Sequence, residues 1–478
     1  VPLELPQTGS AGWGAVLNAA LTALDVRTTG SVNVRSHGAL GNGVADDTAA
    51  VNAAIAAVAG TGGEVFFPPG VYLVSSEIVV PGGVLLRGTG IDYSVVTGPP
   101  ARGSIIRATG AMASVVRLGS DSSSSVSGQT GASMWGLIVD GANLATAAVK
   151  TFGRRNYIQW CQVWRGASYA VDLSGQNSHL LHSVCGQNNL GSVVRQNGSD
   201  NEIAGCQIRE GLNAQIEVVA GAIKITDNHM WTGANGQLPA SVGRDIWIRA
   251  TGTDGALWNV MINNNIIEGV RGPHIEFAAT GARAIIENVS IVGNSFYNTG
   301  DFPDNTYPVL LFNLPSSAEA SAQTVRNVTV VGNQVYRYAG TTGFKALLEK
   351  TVGASGVGYV RNIAVMGNVG RNMHAFAVGL AADDQVEALG NHFLRQSDGT
   401  RFSTSRSARA TAVGDGAATA FSWAHGLSGT PRSVRVTPSS AAASEKHHVT
   451  ADATNVTVTF AAAPANAAAL SFDWSAEV

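Results

Sequence analysis

The chain has 478 residues, with 30 Lys and Arg against 33 Asp and Glu, a formal net charge of −3 and only 13% charged residues. That balance leaves no basic footprint for nucleic acid, and no run reaches the roughly 20 apolar residues a membrane span needs. The 57 glycines, beside much Val, Ile, Asn and Ser, suit tight corners between short strands.

In chain order, residues 1 to 32 begin with Val1-Pro-Leu-Glu-Leu-Pro-Gln-Thr8, which lacks the basic start and apolar core of a secretory signal. Export is therefore expected only by cell lysis, or from a trimmed precursor. Trp13, Val16, Leu17, Leu21 and Leu24 then recur at helical spacing. A helix this short does not fold alone, so the segment is expected to attach to a partner or to another copy. Asp46, Asp47 and Thr48 precede an Ala-rich run and predict a helix over residues 46 to 59 that covers the open end of a solenoid. That reading makes the paired Asp structural. Ser/Gly-rich sequence from Ser120 to Ser133 predicts a loop.

From there a single frame recurs. It reads Ile225-Thr-Asp-Asn228-His-Met230, Ile262-Asn-Asn-Asn265-Ile-Ile267, Ile291-Val-Gly-Asn294-Ser-Phe296, Val330-Val-Gly-Asn333-Gln-Val335, Val365-Met-Gly-Asn368-Val-Gly370 and Ala388-Leu-Gly-Asn391-His-Phe393. Upstream, Cys161, Ser183 and Cys206 take the Asn position, and the steps from Cys161 to Asn228 are 22, 23 and 22 residues. Later steps of 37, 29, 39, 35 and 23 indicate loops inserted at one corner. Short β-rich repeats of this length mean a parallel β-helix, an all-β solenoid. Asn amides stacked at one corner would bond along the rod and satisfy backbone groups, so the row reads as a fold determinant. Cys161, Cys185 and Cys206 read as small buried thiols, with no metal site and no disulfide framework. Coils end near residue 396, and residues 397 to 409 read as a polar linker. Phe421-Ser-Trp423, Ser433-Val-Arg-Val-Thr437, Val456-Thr-Val-Thr-Phe460 and Leu470-Ser-Phe-Asp-Trp474 alternate as strands, predicting a small β-sandwich over 410 to 478.

Residues 33 to 90 carry a family signal. Val34-Arg-Ser-His-Gly38-Ala-Leu-Gly-Asn-Gly43-Val-Ala-Asp46-Asp47-Thr48, Gly62-Gly63-Glu-Val-Phe66-Phe67-Pro68-Pro69-Gly70-Val-Tyr72 and Val84-Leu-Leu-Arg87-Gly88-Thr89-Gly90 resemble the opening of the pectate-lyase-like superfamily. That resemblance implies a right-handed parallel β-helix, and its members include polysaccharide lyases, glycoside hydrolases, epimerases and phage tailspikes. Pro6-Gln-Thr-Gly9 with Trp13-Gly-Ala-Val-Leu17-Asn18, and His425-Gly-Leu427 with Pro431 and Phe472-Asp-Trp474, resemble the termini of tail proteins from phages of actinobacteria. An attachment segment, shaft and C-terminal sandwich in that order is the layout of a tailspike, which implies a homotrimer held by other tail or baseplate proteins in a virion tail.

Strand alternation then sorts the coils into inward and outward positions. Three residues past the Asn frame lie Trp164, Arg209, Trp231, Glu268, Tyr297, Tyr336 and Arg371, an outward stripe that reads as a saccharide track, since rings stack on sugars and Arg pairs with carboxylates. The same stripe equally reads as a trimer contact. For hydrolysis, Glu210 and Glu268 lie two coils apart, roughly 9–10 Å by strand spacing, near the inverting separation of about 6.5–9.5 Å; Asp227 and Asp245 are alternatives. For a lyase, His229, Arg209 or Tyr297 would serve as base. Trp247, Trp258, Tyr307 and the Arg244-Asp245 pair fall in insertions that would wall a groove. Neither the Asp/His signatures of polygalacturonases nor the Arg-centred motifs of pectate lyases occur. No cofactor is implied. The sequence thus points to a tailspike or tail-fibre protein recognising host surface polysaccharide, with possible depolymerase activity. The alternatives are a free-standing extracellular polysaccharide lyase or glycoside hydrolase, and a non-catalytic virion appendage.

Overall fold

The computed structural model describes residues 30–91, 101–119, 131–188, 191–231, 243–268, 272–298, 306–315, 321–337, 343–353, 357–381, 383–394, 401–427 and 429–478. The expected attachment helix and most of the 120–133 loop lie outside them. The chain divides into two compact units, residues 1–250 with 257–271, and residues 251–256 with 272–478. The fold is a right-handed parallel β-helix with antiparallel sheets at its C-terminal end.

In the first unit each coil gives one strand to each of three parallel sheets, here A, B and C. A representative coil has Tyr157–Gln159 in sheet A, Gln162–Trp164 in B and Tyr169–Leu173 in C. It stacks in register on His179–Leu181, Val184–Asn188 and Val194–Gln196 of the next coil. Alternation decides what is buried. Ile158, Leu180, Ile203 and Ile225 of sheet A, Val163, Cys185, Ile208 and Met230 of B, and Val171, Val194 and Ile216 of C fill the interior. Each fully buried side chain of this size contributes roughly 1.5–3 kcal/mol. Cys161, Cys185 and Cys206 are free and buried in the same stack.

Sheets A and B are joined by two-residue turns. The first turn residue adopts left-handed backbone, as at Gly136, Trp160, His182, Gly205, Asp227 and Asn264. The second points inward and carries the ladder. Ser183 Oγ accepts the Cys161 amide at 3.1 Å, Asn228 Oδ1 accepts the Cys206 amide at 2.9 Å, and Asn265 Oδ1 accepts both Asn228 N (3.0 Å) and Nδ2 (3.0 Å). The expected helix begins two residues late, at Thr48–Ala59, and buries Val51, Ala54, Ile55 and Val58 over the first coil. Asp46 ends the strand Asn42–Asp46, and its carboxylate accepts from Thr48 N at 3.0 Å and Ser75 Oγ at 2.5 Å. Asp47 holds the Leu40 and Gly41 amides at 2.7 and 3.0 Å. Both carboxylates are consumed by backbone and hydroxyl groups of the first coil.

The second unit repeats the three parallel sheets, for example with Tyr359–Met366, Val369–Arg371 and Met373–Val378. Its ladder runs Asn294, Asn333, Asn368 and Asn391, with the Oδ1 of Asn333, Asn368 and Asn391 each accepting the preceding rung's amide at 2.9–3.0 Å. It ends on Thr404, whose hydroxyl takes the amide and Nδ2 of Asn391 at 3.0 and 3.1 Å. Of the stretch expected to be a linker, residues 401–403 and 405–409 lie in strands. Arg401–Ser403 pairs antiparallel with His392–Leu394, and Ser405–Val413 is the first strand of the sandwich. Its small, polar sequence hides the strand, which is specified by pairing along its whole length with Ala469–Glu477. The sandwich has two three-stranded sheets, packed through Val458, Phe460, Leu470 and Phe472, with Trp423 stacked 5.7 Å from Phe472. Among the described residues no helix is long and apolar enough to cross a membrane.

Candidate functional site

Sheet B carries the outward column expected from the sequence. Register stacks Asp140, Trp164, Gly186, Arg209, Trp231 and Glu268 in that order. Trp164 is not a free platform. It is 1% exposed and packs with Ile105, Ile138 and Val184 on the outer face of the sheet. Gly186 explains how the next cation reaches it. A Cβ there would lie 2.5 Å from the Trp164 ring, so its absence lets the Arg209 guanidinium stack 4.9 Å from Trp164 and 5.5 Å from Trp231. Trp231 also packs on His229 at 4.5 Å, and His229 Nε2 lies 3.0 Å from Glu268 Oε1. In the second unit the Tyr297 and Tyr336 rings lie 4.7 Å apart, tilted by 53°, and Arg371 is exposed, in register with Leu394.

The four candidate acids do not converge. Glu210 lies one residue past Arg209 with left-handed backbone at φ 66, and burial pushes its carboxyl up despite the neighbouring Arg209 charge. Glu268 sits with His229 on sheet B. Asp227 occupies a left-handed turn position between sheets A and B, and its carboxylate takes the Thr226 hydroxyl at 3.1 Å. Asp245 is buried on sheet C. Trp247 and the Arg244-Asp245 pair, expected in loops, lie within the strand Arg244–Ala250, and Trp258 lies in Ala256–Asn263.

Sheet C holds a denser row that the Asn frame does not reveal. Its outward column is Arg117, Lys150, Asp172, Arg195, Glu217 and Trp247, in register coil by coil. Most of the charges are paired. Arg117 meets Glu77 at 2.9 Å, Lys150 meets Asp172 at 3.5 Å, and Arg249 binds Glu217. Trp247 is flanked by Arg249 and Arg244 at 4.1 and 4.4 Å. Arg195 differs. It forms no ion pair with another described residue, and its guanidinium lies 5.2 Å over the Tyr169 ring. Burial, with the Glu217 charge next, pushes the Tyr169 phenol above its ordinary value, so it remains a hydrogen donor at neutral pH. Asp172 and Glu217 flank Arg195 from the coils on either side, about 10 Å apart by strand spacing. The site is thus a partly buried cation between two neutralised carboxylates, with a phenol against it, and that arrangement fits a carboxylate-bearing ligand. Among the described residues no group of three or more His, Cys, Asp or Glu is placed to hold a metal.

The sequence signal for this row exists, but at a variable offset. Val116-Arg-Leu118, Val149-Lys-Thr151, Val171-Asp-Leu173, Val194-Arg-Gln196, Ile216-Glu-Val218 and Ile246-Trp-Ile248 share an outward residue between flanking inward ones. Loops of different length separate them from the turn frame.

A family model described as rhamnogalacturonase A/epimerase, pectate lyase-like, matches residues 31–300. The chain belongs to that family. Local similarity reaches mannuronan C5-epimerase AlgE4 of Azotobacter vinelandii, 43% identical over 72 residues, 13% of this chain and 13% of that protein. The pre-neck appendage protein of Bacillus phage B103 is 41% identical over 66 residues, 14% of this chain and 7% of that protein. The chain thus spans only a small part of the curated relatives it matches. The Dettilon tailspike structure superposes with a TM-score of 0.46 at 12% identity, covering 94% of each chain.

Proposed function

We propose that this pectate lyase-like chain is a receptor-binding tail protein of a phage, a tailspike or tail fibre that holds an acidic polysaccharide of the host surface along the outer face of sheet C. The carrying observation is Arg195, a cation with no ion pair among the described residues, placed over the Tyr169 ring between Asp172 and Glu217. A uronate carboxylate supplies the bidentate partner the guanidinium lacks. The local similarity to a phage appendage protein and the tail-protein-like termini favour a virion tail over a free extracellular enzyme. In that setting the chain works as a homotrimer, with residues 1 to 32 engaging other tail proteins. Multivalency then makes modest single-site affinity sufficient for adsorption.

The test is binding of immobilised alginate, polygalacturonate and hyaluronan to the purified chain and to Arg195→Ala. Binding that weakens with salt and is lost in Arg195→Ala supports the reading. No binding by the parent chain, or equal binding by the variant, overturns it. One observation, the Tyr169 phenol lying against Arg195 between two carboxylates, favours a second reading in which the chain also transforms the bound sugar. With the uronate neutralised by Arg195, Asp172 or Glu217 would take the proton from the carbon beside it while Tyr169 donates to the leaving oxygen as the C–O bond breaks and a C=C bond forms, or returns a proton to the opposite face of that carbon. New unsaturated ends or altered uronate configuration, absent in Tyr169→Phe, would establish it. Light scattering tests the homotrimer.

A further inference from the structure

The turns between sheets A and B contain two residues out of keeping with the rest. The left-handed turn position is Gly at residues 136, 205, 293, 332, 367 and 390, and Asp227 or Asn264 at two more. Those residue types tolerate this backbone; a bulky side chain adopts it only at a cost. Yet Trp160 and His182, on consecutive coils, hold φ 52 and 49. Local strain of this kind persists where it serves a site.

The two rings form a stack. Trp160 lies 5.1 Å from His182, with 27° between the planes. His182 in turn lies over the following turn, where a Cβ on Gly205 would come within 2.5 Å of its Nδ1. One face of the indole is thus used. On the other side the neighbouring turn is Gly136, which has no side chain, and Trp160 stays 49% exposed. Trp135, next to Gly136, is 40% exposed. Arg87, in register with Trp135, is already bound by Glu64 at 2.6 and 2.9 Å. The corner therefore offers an open indole face, a gap above it and no unengaged charge in the adjacent column.

We propose that Trp160, backed by His182 and flanked by Trp135, is a second saccharide site that stacks the apolar face of a neutral pyranose ring. It is separate from the acidic-glycan site on sheet C and independent of it. Recognition is by ring stacking, with each repeat of a neutral glycan presenting another C–H face.

The full chain is titrated with cellohexaose, following tryptophan fluorescence and saturation-transfer NMR. The variants are Trp160→Gly and Arg195→Ala. Glycine relieves the left-handed strain, so Trp160→Gly folds with an unchanged or raised melting temperature, and its loss of binding cannot be ascribed to unfolding. The expected result is saturable binding that weakens at least about tenfold in Trp160→Gly and is retained in Arg195→Ala. Absence of saturable binding into the millimolar range overturns the proposal, as does binding that Trp160→Gly leaves intact. Failure of the parent chain to bind acidic polysaccharide while it binds cellohexaose would sink the sheet C reading alone.

Discussion

Replacing one middle rung of the ladder, Asn333→Ala, tests whether the row of amides holds the coils together. The Asn333 side chain is fully buried. Its Oδ1 accepts Asn294 N and Nδ2 at 2.9 and 3.0 Å, and its Nδ2 donates to Ile291 O and Asn368 Oδ1, each at 2.9 Å. Alanine removes four bonds and strands a buried backbone amide and carbonyl. At about 1 kcal/mol net for each bond, the loss is about 4 kcal/mol. For a unit of this size that lowers the melting temperature by on the order of 10 °C. Calorimetry or urea unfolding reads it. Thr404→Ala is the internal scale, because among the described residues its hydroxyl takes the two Asn391 donors, and about half the loss is expected. Asn333→Ala within about 1 kcal/mol of the parent, or no more harmful than Thr404→Ala, would refute the reasoning.

Other consequences are direct. Because burial raises the Glu210 carboxyl, the folded state binds its proton more tightly than the unfolded chain, and stability falls as pH rises through the ordinary carboxylate range. Glu210→Gln should therefore raise the melting temperature at neutral pH and leave it unchanged in acid; an unchanged value at neutral pH removes the burial argument. Gly186→Ala should destabilise by about 1–3 kcal/mol, since its Cβ would meet Trp164 and sit 2.7 Å from the Arg209 carbonyl. Tryptophan emission should change with it, since Arg209 lies over Trp164 and Trp231, and a parent-like spectrum and stability would contradict the packing. Burial pushes the Cys161 and Cys206 thiols up to about 12 and raises Cys185 as well. All three should resist iodoacetamide in the native protein and react in denaturant, as mass spectrometry would read; native labelling of any of them would show that the coil opens there.

The coil and its corner were legible in the sequence because they are local. A two-residue turn, an inward Asn and alternation on either side occur at fixed spacing, so Ile262-Asn-Asn-Asn265-Ile-Ile267 specifies strand, turn and strand by itself. The Ala-rich helix and the sandwich strands with alternating aromatics were legible for the same reason. Ser405–Val413 was not, because its strand identity comes from Ala469–Glu477, with Val413 pairing Ala469 and Ser405 pairing Glu477 across the whole sandwich sequence. The outward faces were decided by tertiary structure. Alternation says that Trp164 points out of the sheet, but only neighbouring coils show that Ile105, Ile138 and Val184 cover it. The pairing of charges on sheet C depends on which strands stack. Variable loops set that register, and so Arg195 emerges beside Tyr169 with no ion pair among the described residues while Lys150 and Arg249 are engaged. Spacing along the chain fixes what a coil is; the stacking of one coil on the next fixes which of its side chains remain available to a ligand.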